Sequence, residues 1–305
     1  MRGAPPAQVS PALVMLTWTP AGAVERPRAL QIRLQRSFPG RVRAGAPVPT
    51  RSMPTDEVRA NLTWFTEAST RGRPVESVVL SGVGAASRPD LAELAAYARA
   101  RGVRRITLHA GVEDLAALPV QPLPVDTLVL PLPADDAAAL AAAAAAFHAA
   151  RALGVATVAN TPLGGAALPN LGAAAAVARA AGVGAMTFTY PFPIDAEVEP
   201  PPVADTLAAL RAVVSALSAA GVKVAIRGLP ACLLGELGAC AGRTGNRWYV
   251  DADHQRDKAL LFFPEVVAFH KGDECRFCVA NERCDGWFAA WLRRPGAARL
   301  RALDG

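Results

Sequence analysis

The sequence predicts an α/β fold: a partial (β/α) TIM-like barrel of about six to seven parallel strands, followed by a small cysteine-rich C-terminal extension. Three observations carry this reading. Between residues 75 and 227, short apolar runs alternate with segments of helical periodicity, the pattern of repeated βα units over a parallel sheet. The helical segments repeatedly end before a glycine, the residue that takes a left-handed C-terminal cap at little cost. From Gly228 onward the alternation stops, and all five cysteines lie in that remainder. The chain therefore divides into a barrel over residues 1–227 and an extension over residues 228–305.

Along the chain, strands are expected at Ala12–Trp18, Ser77–Ser81, Arg105–His109, Thr127–Leu130, Ala156–Asn160, Ala185–Tyr190 and Val222–Ile226. The connection after the first of these, residues 19–53, is long and basic. It carries Arg26, Arg28, Arg33, Arg36, Arg41, Arg43 and Arg51 against Glu25 alone, and a loop of that length in a compact domain is usually functional or disordered. Helices follow at Thr55–Ser69, at Pro89–Arg101 before Gly102, at Asp135–Leu153 before Gly154, at Asn170–Ala181 before Gly182 and at Val203–Ala220 before Gly221. The working loops of such a barrel sit at the C-terminal ends of its strands. An irregular segment then leads to the cysteines and to a closing helix near Trp287–Arg294.

With 305 residues, 52% of them hydrophobic and 19% charged, the chain can bury a large core. The net charge of +6 comes almost wholly from arginine, since there are three lysines, and aromatic residues do not interleave with the basic ones as a nucleic-acid stacking platform requires. Nucleic acid is not an expected partner. The longest apolar stretch, Ala137–Phe147, is mostly alanine and ends at His148, so no membrane span is expected. Pro5, Pro6 and Pro11 interrupt what would otherwise imitate a signal peptide, and the protein reads as cytoplasmic.

In a reducing compartment, crowded cysteines favour metal ligation over disulfides. Cys275-Arg-Phe-Cys278-Val-Ala-Asn-Glu-Arg-Cys284 is a C-x2-C-x5-C array, whose first two thiols can bite one metal or cluster corner from a tight turn while the third closes the site. Cys232, just past the last expected strand, is the candidate fourth ligand, with Cys240 in reserve. Four thiolates suit a [4Fe-4S] cluster or a tetrahedral zinc, and spacing does not separate the two. The aromatic residues Trp248, Tyr249, Phe262, Phe263, Phe269, Phe277, Trp287 and Trp291 crowd the same region, as though insulating a site or packing a small domain. Elsewhere, His109 ends a strand where barrel sites are built, near the candidate base Asp126 and the polar Asn160.

The order of motifs resembles the radical-SAM superfamily with a SPASM or twitch extension. The resemblance runs from about Leu13 to Trp287. It rests on Ser81-Gly82-Val83-Gly84-Ala85-Ala86-Ser87-Arg88-Pro89-Asp90-Leu91, which is similar to the family's T-G-G-E-P turn and R-P-D-L helix start. It continues in Ala98-Arg-Ala-Arg-Gly102, Leu108-His109-Ala110-Gly111, Tyr190-Pro191-Phe192-Pro193 and Leu229-Pro230-Ala231-Cys232 before the cysteine array. The resemblance implies Cys232, Cys275, Cys278 and Cys284 as ligands of one [4Fe-4S] cluster. It departs from the family in two places. No cysteine stands in Trp18–Arg28, where a C-x3-C-x2-C loop would hold the SAM-cleaving cluster, and the G-G-E turn reads Gly82-Val83-Gly84 with no acid before Asp90.

Binding and cleavage of SAM are therefore not expected, because without three thiolates the catalytic cluster has no seat. The expectation is a degenerate member, not itself a catalyst, that binds a substrate peptide or a protein partner such as an active radical-SAM enzyme within a modification pathway. The arginine-rich loop from Arg26 to Arg51 would be one surface for an acidic peptide. One alternative is a redox or non-radical enzyme using the C-terminal cluster with His109, Asp126 and Asn160. Another is a zinc-stapled structural or interaction protein.

Overall fold

A computed structural model of the chain describes residues 18–19, 22–23, 27–35, 52–67, 74–82, 84–111, 114, 123–191, 200–243, 247–262, 269–293 and 299–303. Most of the expected first strand, Ala12–Trp18, and Arg26, Arg36, Arg41, Arg43 and Arg51 of the basic loop lie outside them. Trp18–Thr19 (β1) pairs with Gly22–Ala23 (β2) in a separate two-stranded ribbon.

The main sheet opens instead with Ala29–Arg33 (β3), inside the stretch read from sequence as a loop. The strand is embedded in a stretch rich in arginine, with Arg28 just before it and Arg33 at its end. Its apolar partners Leu30 and Ile32 are fully buried, while Gln31 and Arg33 face the other way. The strands Ser77–Ser81 (β4), Arg105–His109 (β5), Thr127–Pro131 (β6), Ala156–Pro162 (β7), Ala185–Thr189 (β8) and Lys223–Arg227 (β9) fall within a few residues of expectation. Each pairs in parallel with the one before it, from β3 through β9. Arg247–Val250 (β10) adds to the other side of β3 in parallel, and Leu260–Phe262 (β11) pairs antiparallel at the edge. The sheet order is β11-β10-β3-β4-β5-β6-β7-β8-β9. Eight strands are thus parallel, where about six to seven were expected, and the expected division after residue 227 does not coincide with the end of the sheet.

Helices Thr55–Thr66 (α1), Leu91–Ala100 (α2), Ala137–Ala152 (α3), Leu171–Ala180 (α4) and Val203–Ala219 (α5) cover the outer face. Asp136 caps α3 by accepting from the amides of Ala138 and Ala139, while Gly102, Gly154, Gly182 and Gly221 follow the other turns with positive φ, as the sequence indicated. Side chains alternate across each strand. Leu80, Leu108, Leu128 and Phe188 go to the helices, while Ser81, His109, Asn160 and Arg227 point to the concave side. Trp248 of β10 is also on the helix side, with its ring 5.3 Å from that of Phe65 in α1. Ala241 bridges to Ile226 of β9 and Arg247–Val250 pairs with β3, so one stretch of chain meets both sides of the barrel's opening.

Beyond β9 come the short helix Ala231–Leu234 (α6), a 3₁₀ segment Gly235–Cys240, and a ribbon of Phe269–His270 (β12) with Trp287–Phe288 (β13). Between β12 and β13 lie 3₁₀ turns at Asp273–Phe277 and Asn281–Arg283, which hold the cysteine array. The chain's closing helix is Ala289–Leu292 (α7). Among the described residues, no helix is long and apolar enough to cross a membrane.

Candidate metal centre and barrel mouth

Pro230 ends β9's exit loop and starts α6, which places Cys232 in the first turn of that helix. The ribbon β12–β13 brings the cysteine array back against the same point. Cys232, Cys275, Cys278 and Cys284 all line one cavity of about 300 Å³, counted with the solvent at its mouth, together with Lys271 and Arg301. The cysteines lie close enough to sense one another electrostatically: Cys232 feels Cys284 and Cys278, and Cys275 feels all three others. All five cysteines are unbridged, and Cys240, at the end of its 3₁₀ segment, is not part of the cavity wall.

Two of the four sulfurs accept a main-chain hydrogen bond. The amides of Gly286 and Leu303 reach Cys284 Sγ and Cys278 Sγ at 3.3 Å each, and the backbone near Arg301 and Gly272 favours the thiolates of Cys232 and Cys275. Burial pushes the Cys232 and Cys275 thiols up, so ligation there would release protons. Among the described residues, no three His, Cys, Asp or Glu side chains close on a single ion-sized point.

The crowd of aromatic residues does not insulate this cavity. None of them is among the residues lining it: Trp248 belongs to the barrel core, Phe269 stacks on Phe288 at 4.3 Å, and Phe277 is 75% exposed. Phe263 lies outside the described residues. The wall is built of small and aliphatic side chains, Ala231, Ala280, Gly286 and Leu300.

The turn after β4 bends tightly around the end of β3. Gly82 has φ +125°, and a Cβ there would sit 2.9 Å from the Gln35 amide nitrogen, so only glycine fits. Arg88 and Asp90 form a clasp: Asp90 accepts from Arg88 at 2.8 and 2.5 Å and from Thr55 Oγ1 at 2.6 Å, while Arg88 also donates to the Met53 carbonyl at 2.8 Å. Arg88 holds the Asp90 carboxyl down at about 2. The motif that resembles R-P-D-L thus ties the starts of α1 and α2 together. With β3 as the first described strand of the sheet, the stretch between it and α1 is 34–54, not Trp18–Arg28, and neither stretch contains a cysteine.

His109, Asp126 and Asn160 do not assemble. Asp126 precedes β6 at the N-terminal end of the barrel, held by two 2.6 Å bonds from Arg99 and one from the Ile106 amide. Asn160 accepts from Thr189 at 2.9 Å at the opposite end. What His109 meets instead was missed from sequence: burial first, then the guanidiniums of Arg227 and Arg247, hold its imidazole neutral down to about 4. Both arginines carry concave-side alternation in their strands, Lys223-Val-Ala-Ile-Arg227 and Arg247-Trp-Tyr-Val250, which is the signal that could have found them.

No family model and no curated protein matches the chain. Among solved structures, it is similar to Streptococcus suis SuiB bound to S-adenosylmethionine, with a TM-score of 0.57 at 11% identity over 90% of this chain and 76% of that one. It is also similar to a second structure of Streptococcus suis SuiB, with a TM-score of 0.53 at 12% identity over 81% of this chain and 63% of that one. These likenesses support a radical-SAM-like fold, the fold that the sequence motifs also resemble.

Proposed function

We propose that this chain is a radical-SAM-like iron–sulfur protein that holds one [4Fe-4S] cluster on Cys232, Cys275, Cys278 and Cys284, does not cleave SAM, and binds a substrate peptide or partner enzyme in a modification pathway. The carrying observation is the gathering of four thiols around one cavity, two of them accepting main-chain hydrogen bonds, in a chain that has no cysteine before Cys232. Four thiolates suit a [4Fe-4S] cluster or a tetrahedral zinc, and metal analysis separates the two. Lys271 and Arg301 at the wall would offset the charge of four thiolates. When bound, such a cluster supplies electron transfer or rigid cross-linking, and hydrogen bonds to its sulfurs raise its potential.

The reading without SAM cleavage is supported by the cysteine-free stretch after β3 and by Gly82 and Gly84, which lie against Gln35 in a segment whose sequence has no carboxylate before Asp90. Asp126, at the far end of the barrel, gives the enzymatic alternative no base beside His109. The test is anaerobic purification with iron, sulfide and zinc quantified together, then a SAM-cleavage assay under dithionite. About four irons and four sulfides per chain without 5′-deoxyadenosine is the expected result. One zinc without sulfide would reduce the site to a structural staple, and 5′-deoxyadenosine would overturn the non-catalytic reading.

A further inference from the structure

The concave face of the barrel carries its own chemistry, apart from the thiols. Arg227 ends β9, at one end of the parallel series, and Arg247 begins β10, at the other. Curvature brings them together: each guanidinium lies within electrostatic reach of His109 on β5, and Arg227 within reach of Arg247. Arg247 is anchored by a 2.6 Å bond from its Nε to Gln31 Oε1, and the neighbouring Arg33 donates to the Tyr249 hydroxyl at 3.1 Å. The charge of Asp285 reaches both Arg227 and Arg247, and Asp285 also pairs with Arg243 at 3.4 Å.

Like charges gathered away from water repel strongly; the Asp285 carboxylate offsets part of that repulsion, and a bound anion would offset more. Arg227 supplies the second, independent observation. Its Nε is buried and meets no hydrogen-bond acceptor among the described residues, a vacancy uncommon in native interiors. Guanidinium forks match the paired oxygens of carboxylates and phosphates, and a neutral imidazole beside them adds a donor without adding charge. Arg227 and His109 stand at C-terminal strand ends, the side on which barrels of this kind bind ligands, while Arg247 reaches them from the start of β10.

We propose that this concave face is an oxyanion-binding site, in which Arg227 and Arg247 grip the phosphate or carboxylate group of a ligand that enters at the C-terminal ends of the strands. The claim stands on the barrel alone and does not depend on what the thiols hold. The full-length protein, titrated with inorganic phosphate and separately with glutarate, should show saturable heat by calorimetry with at least one of them. The tighter anion names the class. Arg227→Gln and Arg247→Gln should each weaken that binding by about tenfold or more, the loss of one charge-assisted fork. Arg104→Gln, at a guanidinium 80% exposed near a strand start, should leave it within about twofold. Arg227→Lys should fall between wild type and Arg227→Gln, because it keeps the charge and loses the fork. If Arg247→Gln fails to fold through loss of its bond to Gln31, the Arg227 pair carries the test. Absence of saturable binding for both anions, or unchanged affinity in Arg227→Gln, would overturn the proposal.

Discussion

His109 stands at the end of β5 with its imidazole held neutral down to about 4, first by burial and then by Arg227 and Arg247. An unfolded chain protonates the same ring near 6.5, so the linkage has a definite sign. Above about pH 6.5 neither state carries the proton and stability is unaffected. As pH falls from there towards 4 the unfolded state alone takes it up, and the fold loses stability. Urea midpoints measured across that window should therefore decline in the wild type and decline less in His109→Asn; parallel declines would show that the ring is not the group responsible. At this scale the sequence was only half legible. The thiols announced themselves through spacing because C-x2-C is a local geometry. Arg227 and Arg247 did not, because their meaning depends on a curvature that brings together strands far apart in sheet order.

The elements tell a similar story about which signals survive in sequence. Alanine-rich helices with terminal glycines were readable to within a few residues, since capping and periodicity are local. β3 and β10 were not read, because Ala29–Arg33 and Arg247–Val250 each carry polar and arginine residues that face a barrel interior instead of solvent. Two connecting devices can be tested directly. The Arg88–Asp90–Thr55 clasp depends on an ionised Asp90, whose carboxyl Arg88 holds at about 2. Its contribution is present above the usual value near 3.8 and is lost as pH falls through 2. Asp90→Ala should cost about 1–3 kcal/mol at neutral pH, read from denaturant unfolding, and should leave metal content unchanged. The ribbon β12–β13 behaves differently. A Cβ on Gly286 would lie 2.3 Å from the His270 carbonyl oxygen, and φ is +88°. Gly286→Ala should displace Cys284 and lower bound iron well below that of wild type, whereas Cys240→Ser, outside the cavity wall, should retain it. Iron lost equally from both variants would place Cys240 among the ligands.

At the scale of the whole molecule, thiol site and barrel are one continuous piece of chain and packing. Cys232 follows β9 by a few residues, the chain then crosses to pair with β3 through β10, and Asp285, next to Cys284, reaches back electrostatically to Arg227 and Arg247. Trp248 of β10 fills the space against Phe65, and Trp287 of the cysteine-bearing ribbon is likewise buried. A ligand that binds only the folded thiol site must then stabilise the barrel as well. Protein loaded anaerobically and protein stripped with a chelator should each unfold in a single transition, with near-ultraviolet signals from the buried tryptophans and far-ultraviolet signals from the helices coinciding. The loaded form should melt several degrees higher. Had the extension been an independent appendage, chelation would shift an early step confined to the tryptophan signal and leave the helical transition where it was. Two separated transitions in the loaded protein would thus refute the coupling, and would return the division near residue 227 to the status of a true domain boundary.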